Sequence, residues 1–194
     1  MSGETIYNVF VTSDIHFGHD KDFIYEPRGF DSVWDMNDAI VKNWNKVVHP
    51  EDVVYVLGDI MLGNNDKGIK LLRQLNGNLH IILGNHDTDM RRELYYQSWN
   101  VIDTSYADRF NYGKYHFYCS HYPTITACPN ARNGLIERAL INLCGHSHTP
   151  DRWADWDKGI IYHCELDAHH NTPVLIDDII NDLDMKWKEY KNDN

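Results

Sequence analysis

Apolar positions along the first half of the chain alternate between two periods. Residues 6–13 (IYNVFVTS) are dense in β-branched and aromatic side chains and predict a strand. Residues 33–48 carry Met36, Ile40, Trp44 and Val47 at helical spacing, and Ser32 with Asp35 makes a capping-box-like start. Residues 52–58 (DVVYVLG) predict a buried strand, 67–75 (KGIKLLRQL) a helix stopped at Gly77, and 79–84 (LHIILG) another strand. Strands and helices in this order imply a layered α/β domain with parallel pairing.

The second half changes character. Residues 101–120 predict two strands around a Gly113-Lys114 turn. Residues 139–145 and 159–166 predict further strands. Residues 174–190 predict an amphipathic helix with Leu175, Ile176, Ile179, Ile180 and Leu183 on one face. Parallel units followed by antiparallel ones leave two arrangements open, a single mixed sheet or two packed sheets flanked by helices. The length of 194 residues suits one domain over 1–194.

Composition narrows the function. A net charge of −11 disfavours long nucleic acid as a partner, since such binding needs Lys and Arg to neutralise phosphates. A bound metal could still supply local positive charge for a phosphate substrate. There is no apolar run of about 18 residues to span a membrane. The N-terminus has neither a basic nor a long apolar region of the signal-peptide kind, so a soluble, cytoplasmic protein is expected. Cys119, Cys128, Cys144 and Cys164 form no CxxC pair and are read as buried reduced thiols.

The twelve histidines are the unusual feature, because many follow a predicted strand. The first strand ends in Asp14, His16 and His19, the second in Asp59, and the third in Asn85, His86 and Asp87. His121 follows the hairpin, and His146 and His148 follow the strand at 139–145. Ligands of α/β sheets gather beyond the carboxyl ends of the strands. Asp14, His16, Asp59, Asn85, His121, His146 and His148 would therefore meet on one rim. Each alone is ordinary turn or capping chemistry. Together they form an oxygen and imidazole donor set without thiolate, suited to Mn, Fe, Zn, Co or Ni more than to Mg. Seven donors exceed one ion, and a bridging carboxylate would join two. Such a pair attracts an anionic phosphate and activates water as a nucleophile.

The ordered blocks Asp14-x-His16, Gly58-Asp59, Gly84-Asn85-His86-Asp87, His121 and Gly145-His146-x-His148 resemble the calcineurin-like metallophosphoesterase superfamily, in particular its small bacterial and phage members. The resemblance spans roughly residues 6–180. It implies a four-layer α/β/β/α sandwich of two mixed sheets between helices. It also implies two divalent metals, manganese foremost, hydrolysing a phosphate ester by attack of metal-bound hydroxide. Asp14, His16 and His148 would hold the first ion, Asn85, His121 and His146 the second, and Asp59 would bridge. His86 would contact the phosphoryl oxygen and protonate the leaving group. Many members carry a second acid at the position of Leu62, which leaves the partner of His86 open here, with Asp87 its neighbour in sequence.

Asn85, also a metal ligand, and the loop residues His19 and Arg28 are expected substrate-binding residues, the arginine as a phosphate clamp. Tyr122 and Asp167 are lesser candidates, with Asp167 a turn residue, and His169 and His170 either line the cleft or face water. His49, His80, His116 and His163 are read as structural. The expected substrate is a small phosphate ester, leaning to a diester or cyclic nucleotide because no cap insertion covers the site. A monoesterase, a nuclease and a non-catalytic scaffold are the alternatives. The oligomeric state is left open.

Overall fold

The structure is a computed structural model that describes residues 7–127 and 136–193. Strand β1 (Val9–Thr12) is buried throughout and lies between two partners. It pairs in parallel with β2 (Val53–Val56), with Val9 opposite Val53 and Thr12 opposite Val56. Next to β2 lies β3 (Asn78–Ile82), and next to β3 lies β4 (Val101–Ser105), both parallel. On the other side of β1, the two-residue β9 (Val174–Leu175) pairs antiparallel. The first sheet therefore has the order β4-β3-β2-β1-β9. The second sheet has the order β5-β6-β7-β8, from β5 (Ala107–Tyr112), β6 (Tyr115–Ser120), β7 (Leu140–Cys144) and β8 (Ile161–His163). Its β5-β6 hairpin is antiparallel and its other two pairings are parallel, so both sheets are mixed, as the resemblance implies.

Side-chain alternation along β1 divides the core. Phe10 joins Met36, Ile40 and Trp44 of α2 (Val33–Val47), Ile69 and Leu72 of α3 (Asn65–Leu72), and Tyr95 of α4 (Asp89–Tyr96). Val9 and Val11 point the other way, into a cluster with Phe117, Cys119, Ile141, Leu143 and Tyr162 of the second sheet. The C-terminal helix α5 (Ile176–Asp193) adds Ile176, Ile179, Leu183 and Trp187 to that same cluster. The helix starts follow the capping rule: Ser32 accepts from the Asp35 amide, Asn64 from Lys67 and Thr88 from Arg91.

Three expectations change. Residues 101–112 are two strands, not one, because the chain passes from the first sheet to the second at Tyr106. The C-terminal helix begins at Ile176, since Val174 and Leu175 are drawn into the edge of the first sheet by β1. The strand expected at 159–166 shortens to three residues, after which Leu166–Ala168 form a 3-10 turn. The Gly113-Lys114 hairpin forms as expected, with Gly113 at φ +55°. Cys119, Cys144 and Cys164 are buried free thiols, and Cys128 lies outside the described residues.

Candidate metal centre

The parallel register of β1, β2 and β3 brings their carboxyl ends level, and the loops that follow stay zipped together. The Asp14 amide donates to the Gly58 carbonyl, that of His16 to Asp59, and that of Phe17 to Ile60, at 2.9–3.0 Å. Gly58, at φ +95°, permits this close approach: a Cβ there would overlap His121 Nδ1 and the backbone of Gly84. Gly145 is needed for a different reason. Its φ is not positive, but a Cβ would overlap Ser13 Oγ and Asp14 Oδ2.

Five of the expected ligands adopt left-handed backbone despite carrying side chains: Asp14 at φ +56°, His16 at +56°, Asp59 at +55°, His146 at +75° and His148 at +49°. Each such residue costs roughly 1–2 kcal/mol. Strain of this kind concentrates where surrounding structure holds side chains to a task.

Two donor groups result, Asp14–His16–His148 and Asp14–Asp59–His121, each with ligand atoms within 4.8 Å of one another. In the first, His16 Nε2 and His148 Nε2 lie 3.0 Å apart, and Asp14 Oδ1 lies 3.6 and 3.5 Å from them. His148 Nδ1 sits 3.2 Å from Asp167 Oδ2. A proton held there leaves Nε2 as a bare lone pair. Asp14 Oδ1 is fully buried and has no hydrogen-bond partner. Its other oxygen is satisfied by Ser13 Oγ at 2.6 Å and the His146 amide at 2.8 Å.

The second group repeats the logic. His121 Nδ1 donates to the Leu57 carbonyl at 2.8 Å, so its Nε2 faces Asn85 Oδ1, another acceptor, at 3.0 Å. Asp59 Oδ2 is 3.6 Å from His121 Nε2 and 3.8 Å from His16 Nε2, so it reaches both groups. Acceptors that converge with no donor between them, around an orphaned buried carboxylate oxygen, fit a cation. Their oxygen and imidazole chemistry fits a divalent one.

Protonation is divided: burial would lower the His148 ring, but the hydrogen bond to Asp167 and the charge of Asp14 hold it above its ordinary value, while two other rings move the opposite way. Burial pushes the His16 ring below its ordinary value, and burial with the neighbouring His121 does the same to His146, leaving neutral imidazoles able to ligate. Burial alone would raise Asp14, but the nearby His16, His148 and His121 rings hold it below the usual carboxylate range. Asp59 moves upward, chiefly through burial.

His146 stands apart from both groups. Its ring is exposed and packs on His121 and Tyr122, with centroids 5.0 and 4.6 Å away. His86 is half-exposed, with Nε2 3.8 Å from Asp59 Oδ2 and its amide donating to Asp59 Oδ1 at 2.9 Å. Asp87 does not partner it. That carboxylate accepts from the amides of Asp59 and Gly84, at 2.8 Å each, and from Tyr95 Oη at 2.6 Å, joining the second and third strand ends. His19 Nδ1 lies 3.3 Å from His16 Nδ1, and burial with the nearby His16 and His86 pushes its ring down to about 4.

Arg28 is not placed as a phosphate clamp. Its side chain is 1% exposed. Its donors are spent on Asp167 at 2.7 and 3.1 Å, on the Asp14 carbonyl at 2.7 Å and on the Ile15 carbonyl at 3.2 Å. Asp167 is more than a turn residue, since one carboxylate ties Arg28 to His148. His169 does not line the cleft: its ring is buried, with Nε2 on the His163 carbonyl at 2.9 Å. His163 is structural as expected, fixed between Glu165 and Asp155 at 3.0 Å each, and His80 and His116 bond Asp103 and Asn111. Glu165 also accepts from the Ser147 amide at 3.2 Å and so steadies the loop bearing His146 and His148.

The chain is similar to known proteins. The chain is 34% identical over 143 residues to the uncharacterized protein MJ1445 of Methanocaldococcus jannaschii, covering 66% of this chain and 81% of that protein. It is 32% identical over 197 residues to the Gene 66 protein of Mycobacterium phage D29, covering 91% and 98%. Its fold is similar to that of the Aquifex aeolicus protein of unknown function AQ665, with a TM-score of 0.69 at 22% identity, over 91% of this chain and 99% of that one. The model of the calcineurin-like phosphoesterases matches residues 7–159, and the chain belongs to that family.

Proposed function

We propose that this metal-dependent phosphoesterase uses a dinuclear centre to hydrolyse phosphodiesters. The position of Asp59 carries the reading, because one carboxylate oxygen lies within 3.8 Å of donors in both groups. Asp14, His16 and His148 would hold one divalent ion, Asn85 and His121 the other, with Asp59 between them and His146 at the open side. Manganese is the first choice, with iron, zinc, nickel and cobalt compatible with the same donors. Bound divalent metals supply Lewis acidity and make coordinated water more acidic.

The chain's own groups do the rest. His86 presents a half-exposed ring beside Asp59, where its Nε2 would give a proton to the departing oxygen. The amide bond to Asp59 Oδ1 sets the ring's position. The diester preference follows from the arginine behind the first donor group. Arg28 is consumed by Asp167 and backbone carbonyls. It is not left to neutralise the second charge of a monoester.

Turnover of bis-aryl against mono-aryl phosphate by the manganese-loaded protein tests the preference, and faster monoester cleavage would reject it. Asp59→Asn should lower turnover by orders of magnitude while the urea midpoint of the metal-free protein is kept. Full activity in that variant would reject the bridging role.

A further inference from the structure

Two exposed aromatic rings flank the centre. Phe23, 66% exposed, stands edge-on to His19 at 5.7 Å between centroids, and His19 in turn lies 5.1 Å from His16. Tyr122, 51% exposed, packs on His146 and on His121, at 4.6 and 5.0 Å. Phe23 thus reaches the first donor group through His19, and Tyr122 adjoins the second directly through His121. Isolated exposed apolar residues need no explanation. These two differ because Tyr122 packs on His121 and Phe23 on His19 beside His16, each on pinned backbone.

The Tyr122 carbonyl accepts from Ser120 Oγ at 2.9 Å and Thr124 Oγ1 at 3.0 Å. Fully buried Asn142 then holds both flanks, donating to Ser120 Oγ and accepting from the Thr124 amide, at 2.8 Å each. On the other side, amide-to-carbonyl bonds run from His19 to His16, from Lys21 to His19 and from Ile24 to Lys21, at 2.9–3.0 Å. Buried Ile24 anchors the short helix α1 (Asp22–Tyr25) that carries Phe23.

We propose that Phe23 and Tyr122 are stacking platforms for the two substituents of a phosphodiester, making the substrate a short nucleotide diester that presents a planar base. The proposal rests on the phosphoesterase reading above. Stacking tolerates any base and needs no cation, which suits a chain of net charge −11 whose Arg28 is already spent on Asp167. A long polyanion would be repelled by the same charge.

The test compares thymidine 5′-(p-nitrophenyl phosphate) with ethyl p-nitrophenyl phosphate in the manganese-loaded protein. The leaving group is the same, and only one substrate carries a base. Wild type should favour the nucleoside ester. Tyr122→Leu and Phe23→Leu are compared with Tyr122→Phe. At least one leucine variant should lower the ratio of kcat/KM values about tenfold through KM for the nucleoside ester, and Tyr122→Phe should retain the ratio. A merely structural role would lower both substrates in proportion and leave the ratio unmoved. An unmoved ratio in both leucine variants overturns the stacking proposal while turnover upholds the phosphoesterase reading. No turnover of either ester by wild type with any divalent metal overturns both.

Discussion

Removing Asp167 tests whether a contact outside the donor groups builds the centre. Its carboxylate grips the Arg28 guanidinium at 2.7 and 3.1 Å and holds His148 Nδ1 at 3.2 Å. Arg28 in turn props the carbonyls of Asp14 and Ile15. The arginine side chain is 1% exposed and the aspartate 13%, so Asp167→Ala strands a buried guanidinium at a cost of about 3–5 kcal/mol. Asp167→Asn keeps the shape but offers one acceptor oxygen to three donors, and about 2 kcal/mol should be lost. Both variants leave His148 Nδ1 without its anionic partner, which lowers metal affinity about 10- to 100-fold. Urea unfolding of the metal-free protein reads the first effect and chelator competition reads the second. Burial alone would raise Asp167, but His148 and Arg28 hold it far below the ordinary carboxylate value. Its contribution is therefore complete at neutral pH and fades as pH drops below about 4, where the unfolded carboxyl takes up a proton first. An Asp167→Ala protein within 1 kcal/mol of wild type, with metal affinity within about twofold, would refute this reasoning.

Other outcomes are expected. His146→Gly releases a residue at φ +75°, so the metal-free protein should gain up to about 1 kcal/mol, by urea unfolding, while turnover falls. Burial pushes the His169 ring down to about 4, so its stability contribution is complete above its ordinary value and is lost as pH falls. Between pH 6.5 and 5 wild type should lose about 2 kcal/mol more than His169→Gln, compared by denaturant melts at the two pH values. Tyr95→Phe deletes a buried 2.6 Å bond to Asp87 and should cost about 2 kcal/mol in the same assay. Manganese at 100 times its Kd should restore about 2.7 kcal/mol to the metal-free protein, seen as a raised Tm.

The parallel strands were legible because each apolar run stops at small or polar residues, as VYVLGD does at Gly58 and Asp59. Helix α2 was legible from its period and its Ser32 cap. Helix α4 was not, since it is strongly polar and buries only Tyr95. The sheet change at Tyr106 has no glycine or proline to mark it, and β9 is too short to carry a period. In the site, Asp14, His16, Asp59, His121 and His148 could be placed because strand ends in such sheets converge. The Arg28–Asp167 pair could not, because 139 positions separate its members and no local pattern links them. The left-handed ligands were hidden too, because Asp and His enter that backbone more readily than most residues but far less dependably than glycine.

That long separation has a consequence for assembly. A chain that has emerged only through His121 already holds Asp14, His16, Asp59 and His121, yet the first donor group still lacks His148 and its support from Asp167. Closing the largest loop of the site is among the slowest events for chain entropy to permit. The first donor group thus cannot be complete before β7 and the Leu166–Ala168 turn are in place. Metal that arrives early meets an incomplete cage, and a chelator should interfere little with the early stages of refolding while blocking the final gain in stability. Loading becomes a report that the whole domain has closed.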